Sequence, residues 1–355
     1  MVEFASAKVG DKSPCFITFE AGPTHDGVES AKRLSKLAAE AGGNAIKFQI
    51  FDPDRLVADK KQLFSYEVLI NKINGKTEHV EEPLYDLLKR RCLSHKEWKE
   101  IKQYCDDLGL AFFATVAFDD EVDFLEGIGC DSIKIASADI DNFPLIQKVS
   151  KTGMCIQLDT GNATLGEMEK SVDLIRSFGN ENIIIHHCPS GYPAKASNVN
   201  LNIIKTLKAM FDFPVAFSDH SPGYDMDIAA LAMGANLLEK TITEDKTTRS
   251  VEHIMSLEPQ EMRCFVNTIR NVEEAMGTKR RLFSKEEREK SLSVRRSIFV
   301  KRDLPKDHTI CPEDLEYRRP GNGISSSHFK KVIGKKTAKP LFSQDKLTWE
   351  DLRTS

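Results

Sequence analysis

Before residue 276 the chain repeats one unit eight times: a short, mostly apolar run ending in polar residues, then a longer amphipathic stretch. The apolar runs are Phe16–Phe19, Ala45–Phe48, Ala111–Ala114, Ser132–Ala136, Met154–Leu158, Ile183–His186, Pro214–Phe217 and Asn236–Glu239. Runs of this length and character are expected of parallel strands covered on their outer face by helices. Helix-length stretches separate them, among them Val28–Ala41, Lys96–Leu108, Leu165–Phe178, Asn200–Met210 and Asp225–Met233. Glycines punctuate helix ends at Gly42-Gly43, Gly109, Gly127 and Gly179. Eight such units predict an α/β chain built on a (β/α)8 barrel, with its chemistry at the C-terminal ends of the strands. A doubly wound sheet is the other α/β solution, but no Gly-x-Gly-x-x-Gly follows the first strand.

Two interruptions divide the chain. Residues Asp52–Arg91 are a long charged insertion after the second strand with little clear periodicity, expected to cover the barrel mouth as a lid or wall. Lys279–Lys290 reads as a solvated charged linker. Beyond it, short β-type runs at Ser297–Val300, Thr309-Ile310, Leu315–Tyr317 and Lys336–Pro340 alternate with Pro, Gly and Asp turns. The expected organisation is a barrel over 1–278, a linker over 279–291 and a small β-rich domain over 292–355. A length of 355 residues suits that division, since single cores stop growing near ~250–300 residues.

Net charge is −4, so no basic field argues for nucleic acid, and an anionic ligand would need local cations. No run approaches ~18 uninterrupted apolar residues, which argues against a membrane span. Met1 to Gly10 lacks a basic-then-apolar signal pattern, and the expected compartment is the cytoplasm. The eight cysteines are scattered without a Cys-x-x-Cys pair and read as free thiols, mostly buried.

The strand ends carry the chemistry. Glu20 closes the first strand ahead of Ala-Gly-Pro-Thr-His25-Asp26-Gly27, and Asp26 is placed to cap the following helix. Lys47 and Lys134 lie inside apolar strands, where an ammonium is costly unless it meets an anion or a wet cavity. Pointing inward from two strands of one barrel, they would converge on a phosphate or carboxylate. A buried ion pair with Glu20 and a Schiff-base lysine are the other readings. Thr115, Ser137 and Ser218 follow strands and add neutral donors. His186 and His187 are adjacent on a strand, so they cannot both face one pocket. Tyr192, between Gly191 and Pro193, suits either a polyol or plain packing. His220, beside Asp219, is a candidate metal ligand.

Taken in order, these motifs resemble the sialic acid (N-acetylneuraminate) synthase family, whose members condense phosphoenolpyruvate with an N-acetylhexosamine-type aldose. The matching residues are Glu20 to Gly27, Lys47-Phe48-Gln49, Lys134 to Ser137, His187 to Pro193, Ser218-Asp219-His220, Glu239-Lys240 and His253 to Pro259. Arg296-Ser297, Arg318 to Ile324 and Val332 to Lys336 resemble the antifreeze-protein-like (SAF, β-clip) domain that follows such barrels. The resemblance implies phosphoenolpyruvate binding by Lys47, Thr115, Lys134, Ser137, Ser190 and Ser218. It places Glu20, Tyr192 and Glu252 near the sugar, with Glu20, His220 and Glu252 as the catalytic set. It also implies a domain-swapped homodimer in which Arg319 reaches the neighbouring subunit's barrel and touches the sugar.

The departures from the family pattern are specific. The family holds a divalent metal, Mn²⁺ or Mg²⁺, with two histidines; His220 matches the first, but the second position is Thr241, a much poorer ligand. Glu252 is one methylene longer than the usual carboxylate, Thr24 replaces an asparagine, Asp26 stands where the pattern has Asn, and no proline follows Thr115. The expectation is a weakly held ion on His220 and waters, with Glu20 or Glu239 nearby, and a divergent sugar specificity. Two other functions fit parts of the pattern: a synthase for a shorter 3-deoxy-ulosonic acid, whose barrels lack the C-terminal domain, or a degenerate, non-catalytic sugar-binding barrel.

Overall fold

The computed structural model describes residues 1–353. An antiparallel hairpin of β1 (Val2–Phe4) and β2 (Ala7–Val9) precedes the first parallel strand, β3 (Phe16–Glu20), and β4 (Ala45–Gln49) follows. A second hairpin, β5 (Leu63–Asn71) and β6 (Lys76–Pro83), interrupts the alternation. The parallel series then runs through β7 (Ala111–Val116), β8 (Ser132–Ile135), β9 (Cys155–Asp159), β10 (Ile183–His187), β11 (Val215–Asp219) and β12 (Leu237–Thr241). Pairing of β12 with β3 closes the barrel. All eight expected strands are present, each within two residues of the expected ends.

Alternation along the strands sorts side chains into two environments. Outward residues such as Ile17, Phe19, Ile46, Phe48, Ile133, Ile135, Val215 and Phe217 pack with the helices in the main core. Each such side chain stabilises the fold by roughly 1.5–3 kcal/mol on burial. Inward residues near the strand starts, Phe16, Ala45, Phe113, Cys155, Ile184, Ala216 and Leu237, form a separate apolar layer. Val2, Phe4 and Val9 of the N-terminal hairpin fill this layer from below, with the Phe4 ring 4.7 Å from Phe16 and 5.2 Å from Phe113. Nothing in the sequence reading anticipated this plug. One step higher, the inward layer turns polar: Thr18, Lys47, Lys134, Gln157, His186, Ser218 and Glu239 are all buried.

The Val28–Ala41 helix forms over the expected residues, but Asp26 does not cap it. Gly27 is the capping residue and makes no side-chain bond, while Asp26 is exposed. The helix ends at Gly42, whose φ of 90° suits glycine.

The Asp52–Arg91 insertion is more regular than its charge suggested. Tyr66, Val68 and Val80 pack with Leu87 and Val251, so the inner face of the β5–β6 hairpin has its own small core. Its turn carries Asn74-Gly75, with Gly75 at φ 66°, a strong hairpin signal.

The chain forms two compact units, Met1–Gly277 and one beginning at Thr278. Part of the segment expected to be a solvated charged linker is a helix, Lys285–Val294, because Ser284 and Glu287 form a reciprocal capping box ahead of good helix formers. In the second unit, β13 (Ser297–Val300) pairs with β14 (Leu315–Arg318), and β15 (Lys336–Thr337) with β16 (Leu352–Arg353). Ile298, Val300, Leu304, Ile310, Leu315, Ile324, Val332, Leu341 and Leu347 form its core. This unit carries a short internal repeat. Leu304 and Leu341 bridge each other, Asp307 and Gln344 both take positive φ, and one-turn helices Pro312–Asp314 and Trp349–Asp351 each end in a capping aspartate.

All eight cysteines are free, five of them buried. Among the described residues no helix is long and apolar enough to cross a membrane.

Candidate active site

At the C-terminal mouth of the barrel a cavity of ≈ 330 Å³ is lined by Glu20, Lys47, Gln49, Thr115, Ser137, Asp159, Asn162, Tyr192, His220, Glu239 and Glu252, with Leu56 and Leu88 of the insertion as a wall. The two strand lysines meet at its floor. Lys47 Nζ stands 2.9 Å from Glu239 Oε1, and Lys134 Nζ stands 2.6 Å from the same oxygen. Lys47 also pairs with Glu20, and Lys134 with Asp159 at 3.1 Å. Neighbouring parallel strands cannot bring Lys47 of β4 and Lys134 of β8 together, since β7 lies between them. Inward projection across the lumen does.

The electrostatics follow from that geometry. Burial opposes the Lys134 charge, but the carboxylates of Asp159 and Glu239 outweigh it and hold its ammonium above the ordinary range. Burial pulls Lys47 down, with Glu239 working against that and Lys134 with it. Glu239 is held well below the usual carboxylate range, because the two ammoniums overcome its own burial. Asp159 goes the other way: burial raises it, and Lys134 only partly compensates. With two ammoniums against Glu20, Asp159 and Glu239, the cluster is formally one negative charge in excess when every group is ionised.

Beneath the lysines, Ser218 joins Lys134 at 3.1 Å and His186 Nδ1 at 2.9 Å, and His186 Nε2 donates to Gln157 Oε1 at 2.9 Å. Burial and then Lys134 keep His186 far below the ordinary histidine value, which favours the neutral ring with its proton on Nε2 facing Gln157. His187 faces out of the barrel and bonds the Val199 carbonyl at 2.6 Å, as strand alternation requires. At the rim, Asn162 donates to Ser137 Oγ at 3.1 Å and accepts from Ser190 Oγ at 3.3 Å, tying two serines from different loops together.

His220 lies beside Tyr192, ring centroids 4.6 Å apart. Its Nδ1 faces the Pro189 carbonyl at 3.2 Å, which leaves Nε2 as the free nitrogen. Burial first, and Lys134 second, lower its pKa to about 4. Asp219 does not orient it. The Asp219 carboxylate is buried against Lys240, with Asp227 3.8 Å from that lysine, on the outer side of the barrel.

The expected metal does not fit the residues present. Thr241 Oγ1 stands 3.5 Å from Glu252 Oε2, and Glu20 and Glu239 are engaged by Lys47 and Lys134 rather than turned toward His220. Among the described residues no three His, Cys, Asp or Glu side chains converge as a metal site. One imidazole and a threonine hydroxyl are a poor donor set for Mn²⁺ or Mg²⁺.

The barrel thus brings together Glu20, Lys47, Thr115, Lys134, Ser137, Ser218, Tyr192, His220 and Glu252, with Ser190 exposed at the rim. Arg319 belongs to the second unit, and the barrel does not supply it. Sequence reasoning missed Asp159, Gln157, His186 as a floor residue, Asn162 and Arg91. Gln157 and Asp159 had a legible signal, polar residues two apart inside an apolar strand.

Residues 34–281 match the NeuB family. The chain belongs to that family. Residues 295–353 match the SAF domain, so the NeuB barrel carries the antifreeze-like domain its tail resembles. N,N'-diacetyllegionaminic acid synthase of Legionella pneumophila is 33% identical over 97% of this chain and 96% of its own. N-acetylneuraminate-9-phosphate synthase of Homo sapiens is 29% identical over 96% of this chain and 94% of its own. Among solved structures, N-acetylneuraminic acid synthetase from Leptospira borgpetersenii superposes with a TM-score of 0.71 at 29% identity, covering 81% of this chain and 94% of that one. Relatives of this NeuB chain are thus synthases of nonulosonic acids.

Proposed function

We propose that this barrel condenses phosphoenolpyruvate with the aldehyde form of an N-acetylhexosamine-type sugar, a mannosamine derivative or a dideoxy relative, to give a sialic-acid-like acid and phosphate. The observation that carries this reading is the meeting of Lys47 and Lys134 on one Glu239 oxygen at the cavity floor. Two ammoniums in a cavity with hydroxyl donors are what a three-carbon phosphorylated acid needs for grip and orientation.

The C2=C3 pair of phosphoenolpyruvate forms the bond to the sugar aldehyde carbon. The carbonyl pair moves to its oxygen, which takes a proton. Water adds to C2 and gives its proton to Glu20, which faces the lumen beside Lys47. The C2–O bond to phosphate then breaks, its electron pair leaves with the phosphate, and the C2 hydroxyl gives its proton to that phosphate as it becomes the ketone. Thr115, Ser137 and Ser190 would hold the phosphate from above, Ser218 and Lys134 from below, and Tyr192 with Glu252 would face the sugar. The family resemblance supports a homodimer in which Arg319 completes the partner's sugar site.

The test is phosphate release from phosphoenolpyruvate labelled with ¹⁸O at the bridging oxygen, across a panel of 2-acetamido-hexoses with mass detection of product. Label in the released phosphate and a product heavier than the sugar by the pyruvyl unit are expected. Label retained in the organic product, or no product from any sugar, would overturn the reading.

A further inference from the structure

Three observations coincide on the side of the cavity where the metal would be expected. Thr241 points its hydroxyl at the Glu252 carboxylate across 3.5 Å. Glu252 is held at φ 71°, ψ −15°, a left-handed conformation that is unfavourable for a residue with a side chain. Arg91, only 5% exposed, donates to the Pro23 carbonyl at 2.9 Å, and its charge acts on Glu252. A strained backbone that turns a carboxyl into a substrate cavity, beside a hydroxyl and a buried guanidinium, is a built acid site.

We infer that Glu252, assisted by Thr241 and Arg91, delivers the proton to the sugar's aldehyde oxygen as the carbon–carbon bond forms, the task a metal Lewis acid would otherwise perform. This rests on the condensation proposed above and assigns one of its steps. The carbonyl pair moves to oxygen, the Glu252 O–H proton follows, and the carboxylate left behind faces Arg91. Thr241, whose hydroxyl donates to Glu252 Oε2, holds that carboxyl in place. The groups facing Glu252 are Arg91 and Lys47, which favour its ionised form, Glu239, which opposes it, and Tyr192, which its charge perturbs in turn. Burial dominates and lifts its pKa to about 7, where a carboxyl still carries a proton to give near neutrality.

The experiment is steady-state kinetics on the full chain after exhaustive chelation, with residual metal measured, from pH 5.5 to 9. Expected results are turnover independent of added Mn²⁺ or Mg²⁺ and a kcat/KM that falls as pH rises past about 7. E252Q should lose at least about a hundredfold in kcat, with KM for phosphoenolpyruvate within about twofold. E252D should recover part of the loss, and T241V should lose about tenfold. T241H, which supplies a second imidazole, should create Mn²⁺-stimulated turnover. Wild-type turnover abolished by chelation and restored by Mn²⁺ would overturn this inference while leaving the condensation standing. So would E252Q retaining wild-type kcat. A wild type inactive on every sugar, with and without metal, would sink both.

Discussion

Asp159 shows how one side chain sets the charge of the cavity floor. It pairs with Lys134 3.1 Å away and adds negative charge to the floor on which the proposed condensation would seat an anion. Burial, ahead of any partner, raises its pKa, so it holds its proton longer than an exposed aspartate. Asp159→Asn removes the charge and keeps the shape. Phosphoenolpyruvate should then bind several-fold more tightly, with the gain growing as pH rises, by calorimetric titration; weaker binding at every pH would show that Asp159 chiefly positions Lys134. Glu252 gives a second residue-scale expectation, independent of turnover. Its pKa of about 7 lies above the ordinary 4.5, so ionising it in the folded state costs stability. That cost begins as pH rises past 4.5 and is complete above about 7, at most about 3 kcal/mol and less where cavity water screens it. E252Q should therefore melt above wild type at pH 8, with the difference shrinking toward pH 5.

At the scale of elements, the lysines and the hairpins differ in how legible they were. The eight strands followed from short apolar runs ending in polar residues, and the inward lysines from the cost of an ammonium inside such a run. The β5–β6 hairpin carried an Asn74-Gly75 signal and alternating Tyr66 and Val68, but its many charges masked the pattern. The β1–β2 hairpin was harder still. Three-residue strands have too little periodicity to read, and their meaning comes from the open barrel end they fill. Phe4→Ala would leave a void between Phe16 and Phe113 and should cost about 3–5 kcal/mol in denaturant unfolding. A cost under 1 kcal/mol would mean the hairpin only rests on the barrel. In the second unit, the repeat linking Leu304 to Leu315 with Leu341 to Leu352 was equally present in the sequence. The two copies share only scattered residues, so their likeness shows first in backbone conformation.

For the whole molecule, the open question is assembly, and Arg319 gives it a direct test. If Arg319 serves the neighbouring barrel, Lys134→Ala and Arg319→Ala preparations, each inactive alone, should regain turnover when mixed and allowed to exchange subunits. A mixed dimer then contains one barrel with Lys134 intact and a partner's Arg319. Mixtures that exchange subunits yet stay inactive would show that each chain uses its own Arg319, or none.

What the sequence by itself determined is the order of elements and the inward set: alternating strands and amphipathic helices admit few folds, and a lysine within an apolar strand must find a charge. The tertiary structure alone decided which charges those were. Only closure of the barrel across its lumen puts Lys47 and Lys134 on one Glu239 oxygen and adds Asp159 to their company. The same holds for Thr241 and Glu252. A strand end and a loop residue at positive φ meet through backbone geometry that residue order does not encode locally, so the replaced histidine was visible early but its new partner was not.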